Sequence, residues 1–525
     1  DKTVFDEISS MEGLPFSFDL PKGIKLSDNQ VDDIYITFDN NEIKGVAPSV
    51  DEDTTFNILL SNQEILLIHV TNREYVTISA DTRNYAFANG NITKYNQFLT
   101  DNVDVPLVDI SGQKVHYPVT VSKYAHDLYA NYRSSKDPLV LDKFFINAHW
   151  LRDNCIYTLY GFCSWRTEPE YTPYTTGFDW SSAMAQGQAI SVMISAYSLT
   201  QDDAYLKVAQ DAIAAFHYPG KVKGVNSDWD GYVWYEEYTS EKPAHVLNGF
   251  LFAIAGLYDA MELLNDSSAK LAFESGIVAL KEKLDVYDAD FTSLYDNEVE
   301  QKRFASAKTN SLDGYHELHI LQLAWVFQVT QEPKFLNVFK KFLSNDIGSF
   351  NTRKMKSGPS VKIASLTTTH SVNVKTNGPE YLTDRNWTYG NYWSTHRNGT
   401  EIEFTLNDVD YSPGVNCIMM SSISPKFFPE SFDVFTYDGD NWLLAFARES
   451  VENLTYVDHV WVYQGKETTA RTYCFNEMLK TSKKLKLSLV LPDSNLIALK
   501  EINVHYSREN IENELLSIYQ SWNTN

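Results

Sequence analysis

Four cysteines in 525 residues are too few for a disulfide-built scaffold. Cys155, Cys163, Cys417 and Cys474 lack metal-ligand spacing, so each of the two pairs reads as a disulfide or as two buried thiols. Positive charge is also short: 44 Lys and Arg face 69 Asp and Glu, a formal net charge of −25. Nucleic acid and anionic membrane surfaces demand a basic face, so neither is expected as a partner. Long apolar runs are missing too. The apolar stretch 246–258 contains Asn248 and two glycines and is shorter than the ~20 residues of a bilayer span, so no membrane insertion is expected. A Gly-rich phosphate loop, a Gly-x-Ser-x-Gly elbow, a dinucleotide fingerprint and a reactive-cysteine setting are all lacking, which removes several large enzyme classes. No cofactor and no metal are expected.

What is abundant is aromatic. The 32 Tyr, 29 Phe and 11 Trp suit core filling and also suit sugar rings, whose CH faces stack on aromatic faces. The chain opens at Asp1 with no apolar leader, the pattern of a mature protein whose export signal has been removed, in a secreted, periplasmic or cell-surface setting.

The pattern of hydrophobic residues changes twice. Residues 1–115 carry short β-type runs at 33–38, 56–60, 64–70 and 75–79. From 116 to 350 the period becomes helical, over 119–133, 140–155, 182–199, 203–217, 245–264, 268–284, 315–331 and 333–343. Links as short as 200–202 and 265–267 make antiparallel hairpins, and about four hairpins in succession predict an incomplete α/α toroid. Alternating runs return at 402–406, 416–421, 432–437, 442–447, 486–491 and 496–505, which predicts a C-terminal β-sandwich over 351–525. The fold class expected is thus a multidomain α+β protein of three domains.

Two places carry candidate chemistry. Trp234-Tyr-Glu-Glu-Tyr-Thr239 runs into a helix holding Val246-Leu-Asn-Gly-Phe250. Adjacent carboxylates partly desolvated by phenols raise the pKa of one of them, as a general acid or base requires. Downstream, Leu294-Tyr295-Asp296 precedes a helix that begins Tyr315-His-Glu-Leu-His319. His316 and His319, one turn apart, suit a substrate carboxylate, a metal or a structural role. Trp234, Tyr235, Glu236 and Asn248 complete the candidate substrate contacts.

These segments together resemble the heparosan-type D-glucuronyl C5-epimerases. The resemblance rests on Ser182-Ala-Met-Ala-Gln-Gly-Gln-Ala-Ile-Ser191, the Trp234 to Tyr238 loop, Val246 to Phe250, Gly256-Leu-Tyr-Asp259, the turns at 286–288 and 294–296, the helix start Tyr315 to Leu323, and Tyr117-Pro-Val-Thr-Val-Ser-Lys-Tyr124 upstream. It covers about 117–340. It implies an isomerase that epimerises D-glucuronate to L-iduronate in an extracellular, heparosan-like polysaccharide. Glu237, Tyr238, Tyr295, Tyr315 and Tyr129 are its implied catalytic residues, with Glu237 and Tyr315 moving the C5 proton. His316, His319 and Arg303 join the candidate substrate-binding residues, Arg303 in place of a family arginine only after a shift from the family's spacing, and a homodimer is implied by the animal enzymes. Separately, the stretches 381–393, 432–442 and 498–505 resemble a discoidin-type sandwich, which implies carbohydrate binding. Two other readings fit the same residues: a polysaccharide lyase, which removes the same proton and then eliminates the O4 substituent, and a glycan-binding surface protein without catalysis.

Overall fold

The computed structural model describes residues 3–28, 33–73, 83–99, 104–289, 292–297, 315–344, 360–361, 363–373, 375–383, 392–406, 415–452, 454, 459–463, 466–479 and 484–505. Arg303, residues 384–391 of the discoidin-like stretch and the strand expected at 75–79 lie outside them. Contacts divide the chain into two compact units, Asp1–Leu280 and Lys281–Asn525.

The first unit opens with six strands: β1 (Val4–Met11), β2 (Pro15–Asp19), β3 (Tyr35–Asp39), β4 (Glu42–Val46), β5 (Thr54–Leu59) and β6 (Ile65–Thr71). They form two three-stranded sheets, β1-β6-β5 and β2-β4-β3. β1 runs parallel to β6, and every other pairing is antiparallel. Alternation sends Ile43, Ile58, Leu66, Ile68 and Val70 into one core. A hairpin of β7 (Val108–Ile110) and β8 (Gln113–Val115) leads into the helices.

Three helical hairpins follow: α1 (Pro118–Ser135) with α2 (Pro138–Asp153), α3 (Ala183–Thr200) with α4 (Asp203–Ile213), and α5 (Leu247–Leu264) with α6 (Ser267–Lys283). A fourth, α7 (Tyr315–Thr330) with α8 (Pro333–Ser344), belongs to the second unit. The same turn chemistry closes all four. Lys136, Gln201, Asn265 and Gln331 take left-handed φ values of 58°, 56°, 51° and 55°, and an acidic residue follows each. Asp137, Asp202 and Asp266 then accept from the backbone N–H of Leu139, Ala204 and Ala269, and Glu332 accepts from Lys334, so each caps the returning helix.

Between the hairpins run short ladders: β9 (Ile156–Tyr157) with β10 (Cys163–Ser164), β11 (Arg166–Thr167) with β12 (Trp180–Ser181), and β13 (Asn226–Trp229) with β14 (Tyr232–Tyr235). Cys155 and Cys163 form a disulfide across the first. α3 is buried from Ala183 to Ser198 and packs closely on α5. Gly187 meets the backbone of Ala253, and Gly256 meets Gly187, at distances that leave no room for a Cβ on either glycine. Further along, Ser191 Oγ donates to Asp259 at 2.9 Å, so the two helices run in the same direction. α5 is the one helix among the described residues long and apolar enough for a bilayer, but 78% of it is buried inside the protein, as a core helix is.

The N-terminal sheets are tied to this helical part by a buried ion triad. Arg73 donates to Glu12 at 2.9 Å and to Asp266, in the α5–α6 turn, at 2.6 Å. Such a triad is costly to break, since each partner removed leaves a buried charge.

The second unit continues past α8 with β15 (Ser360–Val361), β16 (Ile363–Thr368), β17 (Trp393–Thr395), β18 (Glu401–Leu406), β19 (Val415–Ser422), β20 (Ser431–Tyr437), β21 (Trp442–Phe446), a short helix α9 (Arg448–Glu452), β22 (His459–Tyr463), β23 (Lys466–Leu479), β24 (Lys484–Val490) and β25 (Ile497–His505). Two sheets result, β15-β25-β19-β23-β22 with β17 on β25, and β16-β18-β24-β20-β21. Ile402, Phe404, Leu485, Leu487 and Leu489 face inward, while Phe432 packs on Tyr473 and Phe446 on Phe475 between the sheets. The strand register sets Cys417 opposite Cys474.

Candidate active site

The Glu-Glu-Tyr loop leaves β14 and is pinned to the start of α3 from both sides. Ala183 N donates to the Glu236 carbonyl at 2.8 Å, and Thr239 Oγ1 donates to the Ser181 carbonyl at 2.9 Å. Glu237 and Tyr238 lie between these anchors, so their backbone is fixed before any side-chain contact is counted.

The two adjacent carboxylates have different surroundings. Glu236 accepts from Ser227 Oγ at 2.5 Å, from His245 Nδ1 at 2.7 Å and from His245 N at 3.1 Å. His245 sits at a φ of 53° with its ring stacked 4.1 Å from Trp229. Glu236 therefore serves as the clasp of this turn, its acceptor positions filled from within the protein. Glu237 is 4% exposed, and its carboxyl rests on Gly249, where a Cβ would overlap it. Tyr238 is half-buried in an aromatic nest, its ring 4.6 Å from Tyr174, 5.0 Å from Tyr171 and 5.5 Å from Trp180.

Lys123 stands close enough to this loop to feel the charge of Glu237. Lys123, on α1, lies over the Phe252 ring at 5.6 Å. Burial, and then Lys94, hold its ammonium below the usual lysine range, against the opposing charges of Asp127 and Glu237. Tyr129 shares that helix but not that face. Six residues at about 100° each turn it some 240° away, and it packs on Phe144 of α2 at 5.4 Å, 3% exposed. Its place in the fold is the α1–α2 hairpin core.

Trp234 and Tyr235 are also core residues, contrary to the expectation of substrate contact. Trp234 stacks on Phe250 at 3.9 Å and is fully buried. Tyr235 donates its hydroxyl to the Ala272 carbonyl at 2.6 Å, and burial raises its pKa. Asn248 is buried in the first turn of α5, one residue before Gly249.

The second unit holds the remaining candidates in a group of its own. The turn before α7 is a small hairpin, with Leu294 N donating to the Tyr287 carbonyl at 2.8 Å. Tyr295 is 4% exposed and meets the half-buried Tyr315 edge to face at 4.9 Å. Ser293 fastens this turn to α7. Its N–H and hydroxyl both lie 2.9 Å from His316 Nδ1, and its hydroxyl lies 2.7 Å from His319 Nδ1. His316 Nε2 in turn donates to the Phe342 carbonyl at 2.9 Å.

These bonds assign the proton of His316. It accepts at Nδ1 and donates at Nε2, so it is neutral and both nitrogens are used. The Ser293 hydroxyl bridges the two Nδ1 atoms, and His319 Nε2 has no hydrogen-bond partner among the described residues. Burial and the neighbouring His316 hold His319 well below the usual histidine range. His316 is thus a positioning residue rather than a substrate contact. A shared metal is disfavoured because both Nδ1 atoms are turned to the serine.

Sequence reasoning missed Ser227, His245 and Ser293, and it gave Lys123 no role although Lys123 stands inside the Tyr117 to Tyr124 stretch. Nothing local marks the two serines, since they act on residues 9 and 23 to 26 positions away.

Comparison with known proteins agrees with the motifs. Residues 158–344 match the family described as D-glucuronyl C5-epimerase C-terminus. A D-glucuronyl C5-epimerase of Caenorhabditis elegans is 33% identical over 165 residues, covering 29% of this chain and 26% of that protein. The chain thus spans about a quarter of that relative. An uncharacterized protein of Methanocaldococcus jannaschii is 27% identical over 268 residues, covering 47% of this chain and 84% of that one. Among solved structures, the family 32 CBM from C. perfringens NanJ in complex with galactose is similar with a TM-score of 0.19 and 12% identity, over 27% of this chain and 91% of that one. Residues 158–344, which hold the Glu-Glu-Tyr loop, are thus similar to the D-glucuronyl C5-epimerase C-terminus family.

Proposed function

We propose that this protein epimerises D-glucuronate to L-iduronate within an extracellular, heparosan-like polysaccharide by removing and returning the C5 proton. The observation that carries this reading is Glu237, a buried carboxyl seated on Gly249 in a doubly anchored loop, within the family-matched segment. The Cys155–Cys163 disulfide is consistent with an oxidising compartment.

The chemistry sets the requirements. The C5 hydrogen is α to a carboxylate, and its removal builds enolate charge that donors must stabilise. Inversion then needs a proton returned on the opposite face from the one attacked. In this proposal Glu237 and Tyr315 are the two transfer groups, and Tyr238 and Tyr295 support them. A phenol returning a proton needs no special environment, because its ordinary pKa is about 10.

The test is incubation with unsulfated and N-sulfated heparosan in deuterated water, with C5 deuterium and ultraviolet absorbance followed together. Deuterium and iduronate without new absorbance are expected. Rising absorbance from an unsaturated uronate would replace the reading with a lyase, and neither signal on either polymer would remove heparosan as the substrate.

A further inference from the structure

Three clefts in the first unit join end to end beside the Glu-Glu-Tyr loop. The largest, about 650 Å³, lies between the outer face of the β2-β4-β3 sheet and the segment 217–228, within the size range of ligand sites. A second, about 190 Å³, shares Pro219, Asn226 and Ser227 with it and has Glu236 in its wall. A third, about 230 Å³, shares Gly220, Lys221, Thr239 and Ser240 with the second and ends at Trp180. Trp180 is also a wall of the Tyr238 nest, 5.5 Å between rings. The continuous tract therefore runs from the N-terminal sheet to Trp180, which packs on Tyr238.

Its lining has the chemistry of a sugar site. Hydroxyls and an amide from Ser17, Thr37, Asn226, Thr239 and Ser240 provide the donors and acceptors that sugar hydroxyls need, and Tyr35 and Phe16 supply aromatic surface in the largest cleft. Its charges are uneven. Lys44 is paired with Glu42, and Lys223 with Asp179, each at 3.0 Å. Lys221 lines the second and third clefts and stands 5.9 Å over the Tyr35 ring of the first. It makes no ion pair among the described residues. In a chain of net charge −25, an exposed cation at the junction of three clefts has an evident use, since an anionic sugar polymer must find its positive contacts locally.

We propose that this tract binds the polysaccharide on one side of the reacting sugar, with Lys221 taking a uronate carboxylate and the β2-β4-β3 face holding sugars further along the chain. The inference rests on the epimerase reading and adds to it the place of the flanking chain. A polymer contacts all three clefts, whereas a short oligosaccharide centred on the Tyr238 end contacts one.

The test uses Lys221→Glu and Thr37→Trp, two exposed positions outside the catalytic groups, the second filling the largest cleft. KM for C5 deuterium exchange is expected to rise about tenfold on heparosan polymer, with kcat unchanged and a heparosan tetrasaccharide unaffected. Equal effects on polymer and tetrasaccharide, or no effect on either, would overturn the tract. Calorimetric binding of the polymer to Glu237→Gln protein, with and without the two substitutions, needs no turnover. Binding weakened by the substitutions in a protein whose parent exchanges no deuterium would retire the epimerase reading and keep the tract. Binding that is unaltered by them, or absent from the outset, would retire the tract.

Discussion

The Glu236–Glu237 pair of the first unit and the His316–His319 pair of the second are built on one plan. In each, two like groups stand close in sequence, and one has its hydrogen-bonding capacity filled from inside the protein. Glu236 is filled by Ser227 and His245, and His316 by Ser293 and Phe342. The filled member fixes the backbone on which the other stands. Their difference is in what the second member offers: Glu237 presents a carboxyl held against a glycine, whereas His319 presents an imidazole whose Nε2 has no partner among the described residues. A motif with doubled residues thus separates into a clasp and a working group, and sequence alone gives no means of telling which is which.

Separating the two carboxylates is the largest expected effect. Glu237→Gln keeps the shape and removes the ionisable carboxyl, so C5 exchange should fall about 10³-fold, the range of general acid–base catalysis, with the melting temperature unchanged. Glu236→Ala should do the reverse in kind. It leaves buried His245 and Ser227 groups without their acceptor and should cost about 3 kcal/mol in denaturant unfolding. If the two variants lose activity and stability in the same proportion, the division into clasp and working group is wrong.

Gly249→Ala tests the seat of Glu237 without touching any titratable group. The added methyl overlaps the carboxyl, and a displacement of about 1 Å at a reacting group costs on the order of 10² in rate. A fall in kcat of that order with little change in KM is expected. Unchanged kcat would mean that the position of this carboxyl does not matter to the chemistry.

The helices were legible in the sequence because their caps and apolar spacing act locally. All eight predicted helices appear within a few residues of their expected bounds, and Asp137, Asp202 and Asp266 cap as their type suggests. Strand β4 was not legible. Glu42-Ile-Lys-Gly-Val46 carries two charges and a glycine, yet it is the central strand of its sheet. Gly45 is required there because the Phe16 side chain and the Tyr35 carbonyl crowd the space a Cβ would fill, a demand set by neighbours far along the chain. The site divides in the same way. Glu237 and Tyr238 could be read from their motif, whereas the burial of Trp234, Tyr235 and Tyr129 depends on packing against Phe250, Ala272 and Phe144, which no local pattern records.

The smallest expected effect concerns the histidine half of the comparison. Ser293→Ala removes one hydroxyl that binds both imidazoles, and should cost about 1 to 3 kcal/mol as a buried acceptor is left unmet. The Ser293 N–H still reaches His316 Nδ1, so His316 keeps its tautomer while His319 loses the hydroxyl partner of its Nδ1. Proton-nitrogen NMR of the imidazoles should therefore show one ring unchanged and the other exchanging between tautomers, with exchange activity down about tenfold. The acid side provides an independent check. His319 is held below its unfolded value by burial, so the unfolded chain takes up the proton first and stability falls as pH drops below about 6.5. Replacing His319 with Gln should flatten that fall while Ser293→Ala leaves it in place. If Ser293→Ala instead disturbs both rings equally, the serine is a shared hinge, and the parallel with Glu236 and Glu237 no longer holds.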